Sequence, residues 1–257
     1  MTSRLGQQAQ SSPTLEMFPD FPPRDDMQNS IHLDEPALQA SLAEHLGDRD
    51  TTIVLSELPV RWTPSQQQGH RIPDLLVAFN VDRALAIEQK GYSIRDQGKP
   101  PDFVLEVASD STKDEDTTDK RRDYARFGIP EYWRFDPTGG LLHDAPIAGD
   151  QLADGTYQAM EILEIEPGHL HGHSHVLGLD LCWDHGRLRW RDPVADQHLM
   201  TFAEEREARL AEREARLAER EARLAEQEAR LAAEARAETA ESRVQELEEE
   251  LKGHDKI

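Results

Sequence analysis

The sequence predicts an α/β domain around a mixed β-sheet, followed by a long charged helix. Three observations carry this. Between about residues 31 and 200, short apolar runs bounded by Pro and Gly alternate with amphipathic segments, in the order helix, strands, helix, strand and a β-rich extension. From about residue 203 to 252 a seven-residue unit repeats: "EREARLA" begins at Glu205, Glu212 and Glu219, and "EQEARLA" at Glu226. Residues 1–30 are rich in Gln, Ser and Pro, carry few core formers, and read as mostly disordered.

The elements follow in order. "DEPALQASLAEHLG" reads as a helix with Pro36 in its first turn, Leu38, Leu42 and Leu46 on one face, and Gly47 at its end. "TTIVLSELPVRW" and, after the polar turn "PSQQQGH", "RIPDLLVAFNV" read as strands, as does "PDFVLEVAS". "DEDTTDKRRDYARF" reads as a second helix stopped by Gly128, and "EYWRFDP" as a strand stopped by Pro-Thr-Gly-Gly. Beyond Gln151, "TYQAMEI", "LGLDLCW" and "RLRWRD" are further short strands between Gly-containing turns, and the aromatics of "EYWRF" and "RLRWRD" read as core. In the tail, Leu210, Leu217, Leu224 and Leu231 recur every seventh residue. Four Glu-before-Arg pairs spaced by four, Glu205–Arg209 to Glu226–Arg230, each add about 0.2–0.5 kcal/mol of helix support. One leucine per heptad makes a narrow stripe. Both a coiled coil, which would make the protein a homo-oligomer, and a solitary charged helix stay open.

Composition bounds the function. The net charge of −22, from 29 basic and 51 acidic residues, opposes loose attraction to nucleic acid but leaves room for a local basic patch or a metal-bridged phosphate contact. Arg187, Arg189 and Arg191 are one candidate patch. The one cysteine, Cys182, cannot form an intramolecular disulfide, and the expected compartment is the cytoplasm. No run has the length of a signal-peptide core or a membrane span, so no membrane partner is expected.

Glu106 is a carboxylate inside an otherwise apolar strand, where burial is costly unless it is paired. Side chains alternate along a strand, so Phe103, Leu105 and Val107 point one way and Val104, Glu106 and Ala108 the other. Asp74 heads another apolar strand just after a proline. If the two strands are neighbours, Asp74 and Glu106 meet on one face. Two such hard-oxygen donors suit Mg²⁺, although a turn-capping Asp and an Arg-paired Glu would read the same. Asp116, Lys120 and Tyr124 share a helix face, and the short link "SDSTK" can bring Lys120 back beside Glu106.

"PDLLV" followed by "PPDFVLEVASDSTKDEDTTDKRRDYARFGIPEYWRFDPTGG" resembles the small bacterial endonuclease family called Uma-two, of the PD-(D/E)xK, restriction-endonuclease-like superfamily. The similarity is strongest over about residues 71–140 and continues more weakly to about 192. It implies a restriction-endonuclease-like mixed sheet flanked by helices, and metal-dependent hydrolysis of nucleic-acid phosphodiesters, with DNA the expected substrate. On that pattern Asp74 and Glu106 hold Mg²⁺ or Mn²⁺, and Lys120 stabilises developing charge or helps deprotonate a water. Ser109, Ser111 and Thr112 would order the loop, and Asp116 would orient Lys120. The superfamily's usual lysine, two residues after the acid, is Ala108 here, so Lys120 must reach the site from the helix. The competing reading is a catalytically inactive nuclease-fold scaffold that oligomerises through its C-terminal helix.

Two motifs stand apart. "AIEQK" spells a literal E-x-K, but its surroundings are polar and Glu88 and Lys90 read as solvated charges; the Uma-two resemblance implies a connecting hairpin there. In "HLHGHSH", His169, His171, His173 and His175 would line one face if extended. The run reads as turn-like, with no flanking acid or cysteine to complete a metal site.

Overall fold

The computed structural model describes residues 15–19, 38–47, 50–66, 69–109 and 116–254, with side chains described to residue 244. Two compact units are present, one ending at Phe202 and the other beginning at Ala203.

The first unit contains thirteen strands among the described residues: β1 (Thr52–Ser56), β2 (Val60–Arg61), β3 (Leu75–Phe79), β4 (Tyr92–Ser93), β5 (Phe103–Val107), β6 (Glu131–Phe135), β7 (Ile147–Ala153), β8 (Thr156–Ala159), β9 (Ile162–Glu166), β10 (His169–Ser174), β11 (Leu179–Asp184), β12 (Arg187–Asp192) and β13 (Gln197–His198). Its helices are α1 (Leu38–Leu46), α2 (Arg83–Gln89), α3 (Ile94–Gln97) and α4 (Asp119–Phe127). The central sheet has the order β1-β3-β5-β6-β7-β8. It is mixed: β5 and β6 run parallel, and every other neighbouring pair is antiparallel. A parallel pair needs a crossover, and α4 supplies it. Gly128 ends that helix at φ 80, its N–H bonding Ala125 O at 3.0 Å, and the chain turns directly into β6.

Alternation along the central strands sorts side chains onto two faces. Leu75, Val77, Phe103, Leu105, Val107, Trp133 and Phe135 pack against α1 and a second, five-stranded sheet of order β13-β12-β11-β10-β9. Leu76, Ala78, Val104 and Tyr132 face the other way and pack with Tyr124 and Phe127 of α4. The result is a helix–sheet–sheet sandwich around two cores. Trp133 fills the gap between the sheets so closely that a Cβ on Gly149 or on Gly172 would lie within 2.8 or 2.7 Å of its ring. The absent side chains at those positions make the sheet-to-sheet approach possible.

The predicted core aromatics are in place: Tyr132, Trp133, Phe135 and Trp190 are fully buried. Leu38 and Leu42 form the buried face of α1, whose predicted first-turn Pro36 lies outside the described residues. Three expectations need correction. Residues 83–89 form a helix rather than a hairpin arm, capped by Asp82 Oδ1 accepting from Leu85 N at 2.9 Å and ended by Lys90 at φ 60. Glu88 and Lys90 are exposed on it, as expected of solvated charges. The histidine run is strand β10, paired on both sides, not a turn. Within the segment expected to be disordered, residues 15–19 are described, and Phe18 is buried against Gly91, where its ring occupies the space a Cβ would need. The rest of residues 1–30 lies outside the described residues.

Helix α5 begins at Phe202, the last residue of the first unit, and runs through the second unit to His254. Leu210, Leu217, Leu224 and Leu231 are about half exposed along it. Arg209, Arg216 and Arg223 bond the glutamates four residues before them, at 3.3, 2.6 and 2.6 Å. The fourth pair differs from expectation: Arg230 turns forward to Glu234 at 2.8 Å. An exposed arginine with carboxylates one turn away on either side gains only tenths of a kcal/mol from each, so the choice is finely balanced. Among the described residues, no helix is long and apolar enough to cross a membrane.

Candidate active site

The antiparallel register of β3 and β5 sets Leu75 opposite Leu105; carried one residue further, it sets Asp74 opposite Glu106. Both side chains fall on the α4 face. Asp74 is buried and its Oδ2 accepts the Val107 N–H at 2.6 Å, tying the head of β3 to the end of β5. Glu106 is fully buried. Its Oε2 meets Lys120 Nζ at 2.8 Å, and its Oε1 accepts the Tyr124 hydroxyl at 2.5 Å. Lys120 Nζ also lies 2.7 Å from Asp116 Oδ1. The predicted face of Asp116, Lys120 and Tyr124 thus closes over Glu106, and Lys120 reaches the acid from the helix. Ala108, on the same strand face as Glu106, is buried and carries nothing polar.

Ion pairs on both sides of α4 fix where Lys120 lies. Arg121 holds buried Asp150 of β7 with two bonds, at 2.8 and 3.1 Å, and donates to Tyr157 O at 2.8 Å. Asp123 pairs with Arg71, just upstream of Asp74, at 2.5 Å. The helix is thereby pinned to the strand that follows β6 and to the segment that leads into β3.

Asp116 has a second partner that the sequence did not reveal. His143 Nε2 lies 3.1 Å from Asp116 Oδ2, and Tyr132 donates its hydroxyl to Asp116 O at 2.7 Å. His143 arrives on the loop between β6 and β7. Buried Asp136 gathers that loop by accepting the N–H groups of Thr138, Leu142 and His143, each at 2.8 Å. The turn signal "DPTGG" marks the loop, but no spacing marks its histidine. Ser109 is buried beside the site, while Ser111 and Thr112 lie outside the described residues.

The electrostatics share one sign. Burial pushes the Glu106 carboxyl above its ordinary range; Lys120 opposes the shift and Asp116 adds to it. Burial works against the Lys120 charge, but Glu106 and Asp116 outweigh it and hold the ammonium above the ordinary lysine range. Tyr124 and Tyr132 are raised by burial and then by the Glu106 charge, and Tyr124 also feels Asp74. Burial is the largest cause of the upward shifts of Glu106, Tyr124 and Tyr132, and neighbouring carboxylates add to it: Glu106 and Asp116 share the one ammonium of Lys120, and Asp74 stands opposite Glu106 on the neighbouring strand. Such a hard-oxygen, electron-rich pocket fits a divalent cation such as Mg²⁺. Of the two roles expected for Lys120, proton abstraction requires a lowered pKa, and these surroundings raise it.

The remaining candidates lie elsewhere. Arg191 of the basic patch is committed to Asp180 at 2.7 Å and to Asp196. Contrary to expectation, acids do flank the histidine run. Asp180 lies 2.8 Å from His173 Nδ1 and 3.7 Å from His171 Nδ1, and Asp184 lies 3.2 Å from His169 Nδ1. Cys182 is buried between them, and burial raises its thiol to about 12.

No curated protein matches the sequence. A solved structure from Anabaena variabilis, described as a "putative nuclease belonging to DUF820", is 12% identical; the match covers 55% of this chain and 73% of that chain, with a TM-score of 0.35. The family Uma2, described as "Putative restriction endonuclease", matches residues 32–179, a span that includes Asp74, Glu106 and Lys120. That span exceeds half of the 257 residues, and the chain belongs to the Uma2 family.

Proposed function

We propose that the protein is a metal-dependent endonuclease that hydrolyses nucleic-acid phosphodiester bonds, with DNA as its substrate. The observation that carries this reading is the convergence of Asp74, Glu106 and Lys120 on one buried face, within a family described as "Putative restriction endonuclease". Asp74 and Glu106 hold the ion, Mg²⁺ or Mn²⁺, which supplies Lewis-acid polarisation of the phosphate and a nucleophilic water. Lys120, kept protonated by its two carboxylates, stabilises charge that develops on the phosphate oxygens. Asp116, backed by His143, orients that ammonium, and Tyr124 fixes the carboxylate of Glu106. With a net charge of −22, substrate capture depends on the site's own cations rather than on a basic surface. Helix α5 makes the protein a homo-oligomer by pairing its leucine stripe with a second copy, and the protein works in the cytoplasm.

The test is cleavage of plasmid DNA, single-stranded DNA and RNA by purified protein with Mg²⁺, Mn²⁺ or chelator. Metal-dependent nicking that disappears in Asp74→Asn and Glu106→Gln supports the reading. Cutting that persists in both variants refutes the assignment of the site. A second reading, an inactive nuclease-fold scaffold, is favoured by the engagement of both Glu106 oxygens with Lys120 and Tyr124. Calorimetry with no Mg²⁺ or Mn²⁺ uptake at millimolar concentration would decide for it.

A further inference from the structure

The second sheet carries a group of metal-binding side chains away from the carboxylate site. At one end of that sheet the turn after β9 and the turn after β11 lie side by side. Asp184 is the cross-strand partner of His169, and His185 N bonds Gly168 O at 3.2 Å. One ligand atom each from His169, Asp184 and His185 lies within 4.8 Å of the others. His169 Nδ1 and Asp184 Oδ1 are already 3.2 Å apart, and the two imidazoles sit edge to face with centroids 4.6 Å apart.

The backbone is shaped for this meeting. His185 and Gly186 have φ values of 47 and 88, which turn β11 into β12 and present the imidazole back toward β10. A Cβ at Gly168 would lie 2.4 Å from the His185 ring, so only glycine there leaves the ring its place. The strand register also slips at His169/Leu170, which gives His169 a position of its own at the strand end.

We propose that His169, Asp184 and His185 form a binding site for a borderline transition-metal ion of the Zn²⁺ class, which staples the two turns together. Two imidazole nitrogens and one carboxylate oxygen are a Zn²⁺ donor set that leaves a fourth position for water. Tetrahedral bonds of about 2.0–2.1 Å place ligand atoms about 3.3 Å apart. The His169–Asp184 separation meets this already, and the other pairs need to close by no more than about 1.5 Å, within reach of side-chain rotation. His169 and Asp184 also line a concavity that Glu166 and Arg191 share, whose opposite charges leave the donor set itself to carry the site. The site belongs to the second sheet, and its ligands are distinct from Asp74 and Glu106 of the central one.

The test is calorimetric titration of the full chain with Zn²⁺, together with Co²⁺ as a spectroscopic probe of tetrahedral imidazole ligation. The variant pair is His169→Ala with His185→Asn. Asn tolerates positive φ, so the turn is kept while the imidazole goes. The expected result is one Zn²⁺ per chain, bound at least about tenfold more weakly by the variant pair, with unchanged far-UV circular dichroism. Asp74→Asn must leave that Zn²⁺ affinity in place. Absence of Zn²⁺ binding by the wild-type chain overturns the proposal. So does undiminished binding by the variant pair, which would move the ligands to His171, His173 and Asp180.

Discussion

Replacing Glu106 with alanine tests whether the carboxylate is a structural anchor as well as a ligand. The substitution removes the partner of Lys120 at 2.8 Å and of the Tyr124 hydroxyl at 2.5 Å, with every group involved buried. Breaking a buried ion pair from one side costs about 3–5 kcal/mol. Lys120 keeps Asp116, which places the cost near the lower end, about 3 kcal/mol, while the stranded Tyr124 hydroxyl works in the other direction. Domains of this kind are stable by only about 5–15 kcal/mol, so loss of activity in Glu106→Ala alone would not separate chemistry from folding. Glu106→Gln keeps the shape and one acceptor oxygen for Lys120, while its amide NH2 can only donate, so the Tyr124 hydroxyl must turn to accept; the expected cost is about 1 kcal/mol. Urea denaturation followed by tryptophan fluorescence reads the right unit, because all four tryptophans precede residue 203. With a slope of about 1–3 kcal/mol per molar, the alanine midpoint should fall by about 1–3 M and the glutamine midpoint by well under half of that. An alanine midpoint within error of wild type would refute the anchoring argument.

Acid stability should report on the loop that carries His143. Burial works to raise the Asp136 carboxyl, but the Thr138 hydroxyl and the backbone N–H groups of His143, Leu142 and Thr138 outweigh it and hold it below its ordinary value. A depressed folded-state pKa contributes stability above the unfolded value, lost as pH falls through the folded one. The Asp136-dependent loss therefore lies below about pH 4, and Asp136→Asn should flatten denaturation midpoints over that range. A variant with the same acid limb as wild type would count against it. For the tail, deletion from Ala203 onward should reduce the light-scattering mass to that of a single chain, with the tryptophan-monitored midpoint unchanged; an unaltered multiple of the chain mass would place the oligomer contacts in the first unit.

The central sheet was legible because its signals are local. Alternation in "PDFVLEVAS" assigned both faces of β5 before any neighbour was known, and the four-residue spacing of Asp116, Lys120 and Tyr124 placed three side chains over Glu106. What escaped depends on partners distant in the chain. Helix α2 buries only Ala86 and Gln89, so it has no apolar stripe to announce it, and its stop at Lys90 uses a positive φ that composition does not reveal. Strand β10 has histidine, leucine and glycine in a pattern without a clear apolar face; its pairing with β9 and β11 makes it a strand. His143 meets Asp116 because Asp136 folds a loop back by backbone hydrogen bonds, a contact that no spacing encodes.

Carrying the lysine on a helix rather than on the strand of its acid changes what the site depends on. A side chain at residue 108 would hold its place relative to Glu106 through the strand itself, since two residues apart means the same face. Lys120 holds its place only as long as α4 stays docked. That docking rests on the packing of Tyr124 and Phe127 and on the pairs Arg121 with Asp150 and Arg71 with Asp123, and neither ion pair touches Glu106. A shift of α4 by an ångström would lengthen the Lys120–Glu106 contact while leaving both strands intact. Tyr124 guards against this by binding Glu106 from the same helix, and Asp116 by holding the ammonium from just before the helix, where Tyr132 and His143 fix it; the lysine cannot move without disturbing these contacts together. The buried alanine at 108 is then the complement of the design: it leaves the face beside Glu106 clear for a cation delivered from the opposite layer.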